Sequence, residues 1–306
     1  MLLNIILLVV GLFLLIRGAN AFVDGATALA RRFHISEIII GLTIVAMGTS
    51  APEVAVSISS ALHGAGSVAI GNAFGSSIAN ILLVLGISAV ITPLIFKNKT
   101  IRYEIPFSIF VTIVLMWFGV RYGAITRGVA GILLLLFVVF LGYLYFDAKQ
   151  EKAKPQKIQE ISLVKIIVFL VLGIVALVFG SDLTVKSATN LATLLHVPNR
   201  IIGLTVVAIG TSLPELVTCI SAARKKYVDL VVGNIIGSNI FNILFVLGLT
   251  GLVHPIRFEY AFAIDAAIAV IVSIILWLCA IYTQTLNRKM GWLFLVCYAV
   301  YLVYLI

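Results

Sequence analysis

Charge is what this sequence lacks. Only 11% of its 306 residues are Asp, Glu, Lys or Arg, against about 25% in an ordinary soluble domain. A soluble protein is excluded on that count. The longest polar stretch, residues 147–160, is too short for a separate soluble domain. Cysteine is scarce as well. Cys219, Cys279 and Cys297 each sit in an apolar stretch without pairing or metal-ligand spacing, so they read as small packing residues. The four histidines are scattered singly, which excludes the HExxH pattern of a zinc protease. The net charge of +9 is read as a membrane-orientation signal rather than as affinity for nucleic acid.

What is present is hydrocarbon. Hydrophobic residues make up 62% of the chain, and a spanning helix needs roughly 20 of them in a row. Ten such segments are expected, near 3–30, 36–62, 67–95, 103–120, 126–146, 162–192, 198–223, 229–253, 259–282 and 289–305. The first of them lacks the basic leader and small-residue cleavage site of a signal peptide, and it has an internal counterpart.

That counterpart belongs to a repeat with a constant offset of 162 residues. IIIGLTIVAMGTSAPE ends at Glu53 and RIIGLTVVAIGTSLPE at Glu215; GNAFGSSIAN ends at Asn80 and GNIIGSNIFN at Asn242. Gly11 pairs with Gly173, Gly18 with Gly180 and Gly86 with Gly248 without insertion or deletion. The chain is thus a fused duplication: residues 1–150 form one half, 151–161 a linker and 162–306 the other. Five spans per half is an odd number, so the second half must cross the membrane upside down. Loop charges agree. Alternate assignment puts fifteen basic residues on one side, among them Arg31, Arg32, Lys97, Lys99, Arg224, Lys225 and Lys226. Only Arg121, Arg127, Lys186, Arg200 and Arg257 fall on the other. Arg17 lies within the first helix. By the positive-inside rule the linker is cytoplasmic and both termini are extracellular, in the plasma membrane. The expected fold is an all-α polytopic membrane protein with ten transmembrane helices in two inverted repeats, an arrangement common in secondary transporters.

Two acids stand apart from the loops. Glu53 and Glu215 fall halfway along their helices, where an ionised carboxylate costs several kcal/mol. No basic residue lies at matching depth, so a bound cation is the natural counter-charge; the bland alternative is a protonated Glu bonded to a neighbouring helix. Thr49, Ser50, Thr211 and Ser212 add hydroxyls beside the acids. Pro52 and Pro214 should break the helices at the midplane and free carbonyls near Ala46 and Thr49, and near Ala208 and Thr211. Ser76 with Asn80, and Ser238 with Asn242, are four apart and share a helix face. Hard cations take oxygen ligands of these kinds. Gly71, Gly75, Gly233 and Gly237 have small-xxx-small spacing for close helix packing. Asn72 and Asn234 either support that face or bridge helices. Asn20 and Asp182 are repeat-matched polar residues read as packing or pathway groups.

These two motif pairs resemble the alpha-repeats of the calcium/cation antiporter superfamily, especially its Na⁺/Ca²⁺ exchangers of the minimal prokaryotic type. The resemblance covers nearly the whole chain. It implies that Glu53, Ser50, Ser76, Asn80, Glu215, Ser212, Ser238 and Asn242 bind ions, that Thr49 and Thr211 contribute oxygens, and that access alternates as the first and sixth helices slide past a fixed core. Some relatives, K⁺-dependent ones included, carry Asp where this chain has Asn242, so the resemblance argues against K⁺ co-transport.

The function expected is therefore Na⁺/Ca²⁺ antiport, with Ca²⁺/H⁺ or other cation/H⁺ exchange as the alternative, because two carboxylates in one low-dielectric site titrate as a coupled pair. The ions are cargo; no cofactor, nucleic acid or enzymatic chemistry is expected, and the protein should work as a monomer in the lipid bilayer. A passive channel fits less well, since duplication builds a site inside one chain.

Overall fold

A computed structural model describes residues 1–150, 161–195 and 208–305 of the chain. The linker calls at 151–160, Arg200 and the first part of the expected seventh helix, 198–207, lie outside the described residues. The described chain is almost entirely helical. α1 (Leu2–Phe33) leads through a left-handed His34 cap into α2 (Glu37–Thr49), which bends by 45° into α3 (Ala51–Leu62). Then come α4 (Ser67–Ile91), α5 (Thr100–Tyr122), α6 (Arg127–Gln150) and α7 (Leu163–Leu194). α8 (Ala208–Thr211) and α9 (Leu213–Arg224) follow, and then α10 (Val228–Val253), α11 (Tyr260–Thr283) and α12 (Arg288–Leu305). Among the described residues, eight helices are long and apolar enough to span a bilayer alone, and α2 with α3 makes a bent ninth. Large apolar side chains such as Val9, Phe13, Leu172, Phe179 and Val300 point outward, as a lipid-facing surface requires.

α1 and α7 run antiparallel along each other. In a bilayer, helices gain no hydrophobic drive toward one another, so contact depends on close packing of small residues. A Cβ at Gly11 would lie 3.0 Å from the Gly180 carbonyl, and one at Gly18 the same distance from the Gly173 carbonyl. By repeat, Gly11 corresponds to Gly173 and Gly18 to Gly180, so the two contacts are the same contact seen from either half.

α10 is almost wholly buried and forms the centre of the molecule. Its glycines receive α2: a Cβ at Gly233 would sit 2.4 Å from the Ile38 carbonyl, and one at Gly237 2.7 Å from the Leu42 carbonyl. The expectation of helices alone needs one correction. Leu94–Ile95 (β1) pairs antiparallel with Thr285–Leu286 (β4), and Ala124–Ile125 (β2) with Ile256–Arg257 (β3). These two-residue ladders lie where spans end and the exposed backbone needs partners. Each ladder joins one half of the chain to the other.

Candidate ion-binding site

The helix break comes at Ser50, with φ −85° and ψ 12°, and again at Ser212, with φ −86° and ψ 5°. Each break lies two residues ahead of a proline, whose ring clashes with the preceding turn. Pro52 and Pro214 occupy the first turn of α3 and α9, where a missing N–H removes no helical bond of the new helix. The expected release of the Ala46 carbonyl is accordingly not seen. It accepts the Ser50 backbone N–H at 3.0 Å. Four residues before Pro52 stands Gly48, whose carbonyl is the one the proline leaves without its helical donor. Ala208 opens α8.

Each acid thus lies in the first turn of a half-helix inside the protein, where the helix dipole favours negative charge. The Ser-x-x-Glu spacing is that of a capping box, yet neither Ser50 nor Ser212 caps its own helix. Instead the Ser50 hydroxyl donates across the molecule to Glu215 Oε1 at 2.8 Å. That bond joins α9 to the break beside Glu53. Both acids are completely buried. Neither is ion-paired with any described Lys, Arg or His; the ion pairs found, such as Lys97–Asp229 and Lys225–Asp24, are partly exposed.

The other expected ligands gather here with their oxygens unused. Both Glu53 oxygens, Glu215 Oε2, Ser76 Oγ, Asn80 Oδ1, Ser212 Oγ, Ser238 Oγ and both polar atoms of Asn242 are buried without a hydrogen-bond partner among the described residues. Buried polar groups are normally satisfied, so such a concentration points to a polar guest. α4 and α10 supply four of these groups, and in each the helix widens into a π turn that begins at the asparagine: Asn80–Leu85 and Asn242–Val246. π turns recur at functional sites. Thr49 is buried and donates to Asn234 Oδ1 at 3.2 Å, while Thr211 is half-buried.

The amides left open by sequence now have places. Asn234 bridges Thr49 and Cys219, whose Sγ accepts its amide at 3.3 Å. Asn72 is half-buried. Asn20 accepts the Ser221 hydroxyl at 2.7 Å and so ties α1 to α9. Asp182 pairs with Lys186 at 2.8 Å on an exposed face. Sequence reasoning missed Asn239, whose Oδ1 accepts the Asn80 amide at 3.0 Å. Since an amide has one oxygen, this bond leaves Asn80 Oδ1 for the site. Its repeat partner is Ser77, so the repeat carries no signal for it.

Two carboxylates amid neutral hydroxyl and amide oxygens suit a hard cation; zinc would call for His or Cys. No cluster of three His, Cys, Asp or Glu occurs among the described residues. Fold and site together define a multi-span membrane protein that handles cations. The profile of the sodium/calcium exchanger protein family matches residues 3–146 and 165–306. Sodium/calcium exchanger MaX1 of Methanosarcina acetivorans is 31% identical, with 99% of this chain and 98% of that protein covered. Inner membrane protein YrbG of Escherichia coli is 38% identical, with 90% and 88% covered. A solved structure of the sodium-calcium exchanger NCX_Mj is 35% identical, with 98% and 97% covered and a TM-score of 0.86. The chain belongs to the sodium/calcium exchanger family, a family of antiporters rather than enzymes.

Proposed function

We propose that this protein exchanges Na⁺ for Ca²⁺ at the buried site around Glu53 and Glu215. The observation that carries the reading is the Ser50–Glu215 bond, which brings the two half-helix starts, one from each repeat, to one buried locus rich in oxygens without a partner among the described residues. Glu53, Glu215, Ser50, Ser212, Ser76, Ser238, Asn80 and Asn242 hold the ions there, with oxygens from Thr49 and Thr211. Two carboxylates carry −2 and balance one Ca²⁺. Na⁺ ions use the same oxygens but not at the same time. If only a loaded site changes sides, Na⁺ moving downhill drives Ca²⁺ uphill.

The scaffold for this is ten spans in two inverted repeats, 1–150 and 162–306, joined by a cytoplasmic linker at 151–161. Reciprocal glycine contacts between α1 and α7 and matching breaks at Ser50 and Ser212 support it; α8 and α9 fall within the seventh of the ten spans. Both termini face outward from the plasma membrane, and one chain suffices.

Proteoliposome ⁴⁵Ca²⁺ uptake under an outward Na⁺ gradient, with and without a pH gradient, tests the coupling. Uptake should follow the Na⁺ gradient alone. Uptake driven by protons without Na⁺ would replace this reading with Ca²⁺/H⁺ exchange on the same carboxylates.

A further inference from the structure

The two ends of the transport site are covered unequally. At one end α1 is tied to α9. The Ser221 hydroxyl donates to Asn20 Oδ1 at 2.7 Å, and Lys225 Nζ donates to Asp24 Oδ1 at 2.7 Å and to the Asn20 carbonyl at 3.4 Å. Asn20 and Asp24 stand one turn apart on α1, as do Ser221 and Lys225 at the end of α9, so bonds on successive turns join the helices. Thr218 shares that face of α9 by its spacing from Ser221 and Lys225, and is only 1% exposed.

The repeat puts Asp182, Lys186, Ser59 and His63 at the matching positions of the other end. There each half keeps to itself. His63 Nδ1 lies 2.7 Å from the Ser59 carbonyl on its own helix, and Asp182 pairs with Lys186 at 2.8 Å on α7. Ser59 and His63 are both exposed. The sequence explains why this end cannot copy the first. Asp182 stands where α1 has Asn20, Lys186 where α1 has Asp24, and His63 where α9 is followed by Lys225. Docking α7 on α3 in the same register would set Lys186 against His63, two groups without opposite charge.

We propose that the Asp24–Lys225 pair, with the Ser221–Asn20 bond beside it, locks the Lys225 end shut in the ion-free protein, and that the His63 end carries no equivalent lock. The empty protein therefore rests with its site open toward the His63 end. This rests on the reading of a site that changes sides, and adds which state is preferred and which residues hold it. The Lys225 and Asp24 side chains are 30% and 48% exposed, and an ion pair so placed is weak. A lock that must open in every cycle has to be weak.

The test reads accessibility in the full chain, in detergent without Na⁺ or Ca²⁺. Cys279→Ser and Cys297→Ser remove the two less buried thiols, and this parent gives the background from Cys219. Ser59→Cys and Thr218→Cys then report the two ends by their rate of reaction with a charged methanethiosulfonate. Ser59→Cys should react, and Thr218→Cys should be protected. Asp24→Asn and Lys225→Gln should each speed modification of Thr218→Cys by about 2- to 5-fold, and Asp24→Lys with Lys225→Asp should restore protection. Giving the His63 end the same residues, by Asp182→Asn, Lys186→Asp and His63→Lys together, should slow Ser59→Cys and speed Thr218→Cys, which loosening at α9 alone cannot do. Protection of Thr218→Cys that survives both single variants, a charge swap that does not restore it, or a transplant that leaves Ser59→Cys as reactive as before would overturn the proposal. Transport is read separately: Na⁺-driven ⁴⁵Ca²⁺ uptake with labelling unchanged by these variants removes the lock and leaves the exchange reading standing.

Discussion

The two halves of the ion site share a backbone but not a hydrogen-bond network. Ser50 and Ser212 break their helices with nearly equal dihedral angles, three residues before the acids. Yet Ser50 donates to Glu215, whereas Ser212 Oγ has no partner among the described residues. Asn80 is turned by Asn239, while the residue in the matching place, Ser77, bonds back to the Ala73 carbonyl and leaves the Asn242 amide unheld. Duplication preserved what sets the path of the chain, namely Gly, Pro and the helix breaks. Side-chain partners were free to diverge. One half-site is thus fixed by cross-molecule bonds, and the other is left to be organised by its ligands.

The largest expected effect ignores that difference. Glu53→Gln and Glu215→Gln should each weaken Ca²⁺ transport by about 100-fold or more, because each removes one of only two charges from the site. ⁴⁵Ca²⁺ uptake into proteoliposomes reads the loss, and circular dichroism checks that the helices persist. Normal transport by either variant would show that the acids are not a pair.

The difference between the halves appears with the serines. Ser50→Ala removes a hydrogen bond to a carboxylate, worth about 1.5–3 kcal/mol, and should lower the stability of the ion-free protein accordingly. Ser212→Ala should change that stability by less than about 0.5 kcal/mol, having no protein partner to lose. Thermal unfolding in chelator and without Na⁺ measures both. Equal effects would mean that the half-sites are equivalent after all.

Much of this was legible in the sequence, for reasons that can be named. Apolar run length places the spans, because a bilayer tolerates little else; the expected 67–95 and 229–253 became α4 and α10. Glu53 and Glu215 stood out because a charge in hydrocarbon demands an explanation, and both are fully buried. The glycine pairs announced close packing without saying which helix would arrive; at Gly233 it is α2. Other features left no trace. The β ladders depend on two distant loops meeting, which no local pattern records. Asn239 matters only through a partner 159 residues away.

Gly233 sharpens the contrast between a fixed and an adaptable wall. A Cβ there would lie 2.4 Å from the Ile38 carbonyl and 3.0 Å from the Leu42 nitrogen. Backbone cannot retreat as a side chain can. Gly233→Ala is expected to cost about 1–3 kcal/mol through overpacking, read as a lower melting temperature. Gly131 is a suitable control, since nothing among the described residues lies within 4 Å of a Cβ there; alanine at that position should be neutral or stabilising, because glycine is a poor helix residue. If both substitutions behaved alike, the tight seat of α2 on α10 would be wrong.

The smallest effect isolates the amide network. Asn239→Ser gives the second half the residue type that the first half has at Ser77. It removes the acceptor that holds the Asn80 amide, a neutral hydrogen bond worth about 0.5–1.5 kcal/mol, so Ca²⁺ affinity should fall by about 2- to 10-fold. Ser77→Ala removes only a bond to the carbonyl four residues back, and should shift affinity by less than about twofold. Affinity is read from the Ca²⁺ dependence of exchange at fixed Na⁺. The physical content lies in the sign of the difference. Asn239 acts by choosing which end of the Asn80 amide faces the ions, so its loss should weaken binding with little change in maximal turnover. Equal shifts from Asn239→Ser and Ser77→Ala would show that Asn80 needs no such guide and that the two half-sites differ in bonds but not in function.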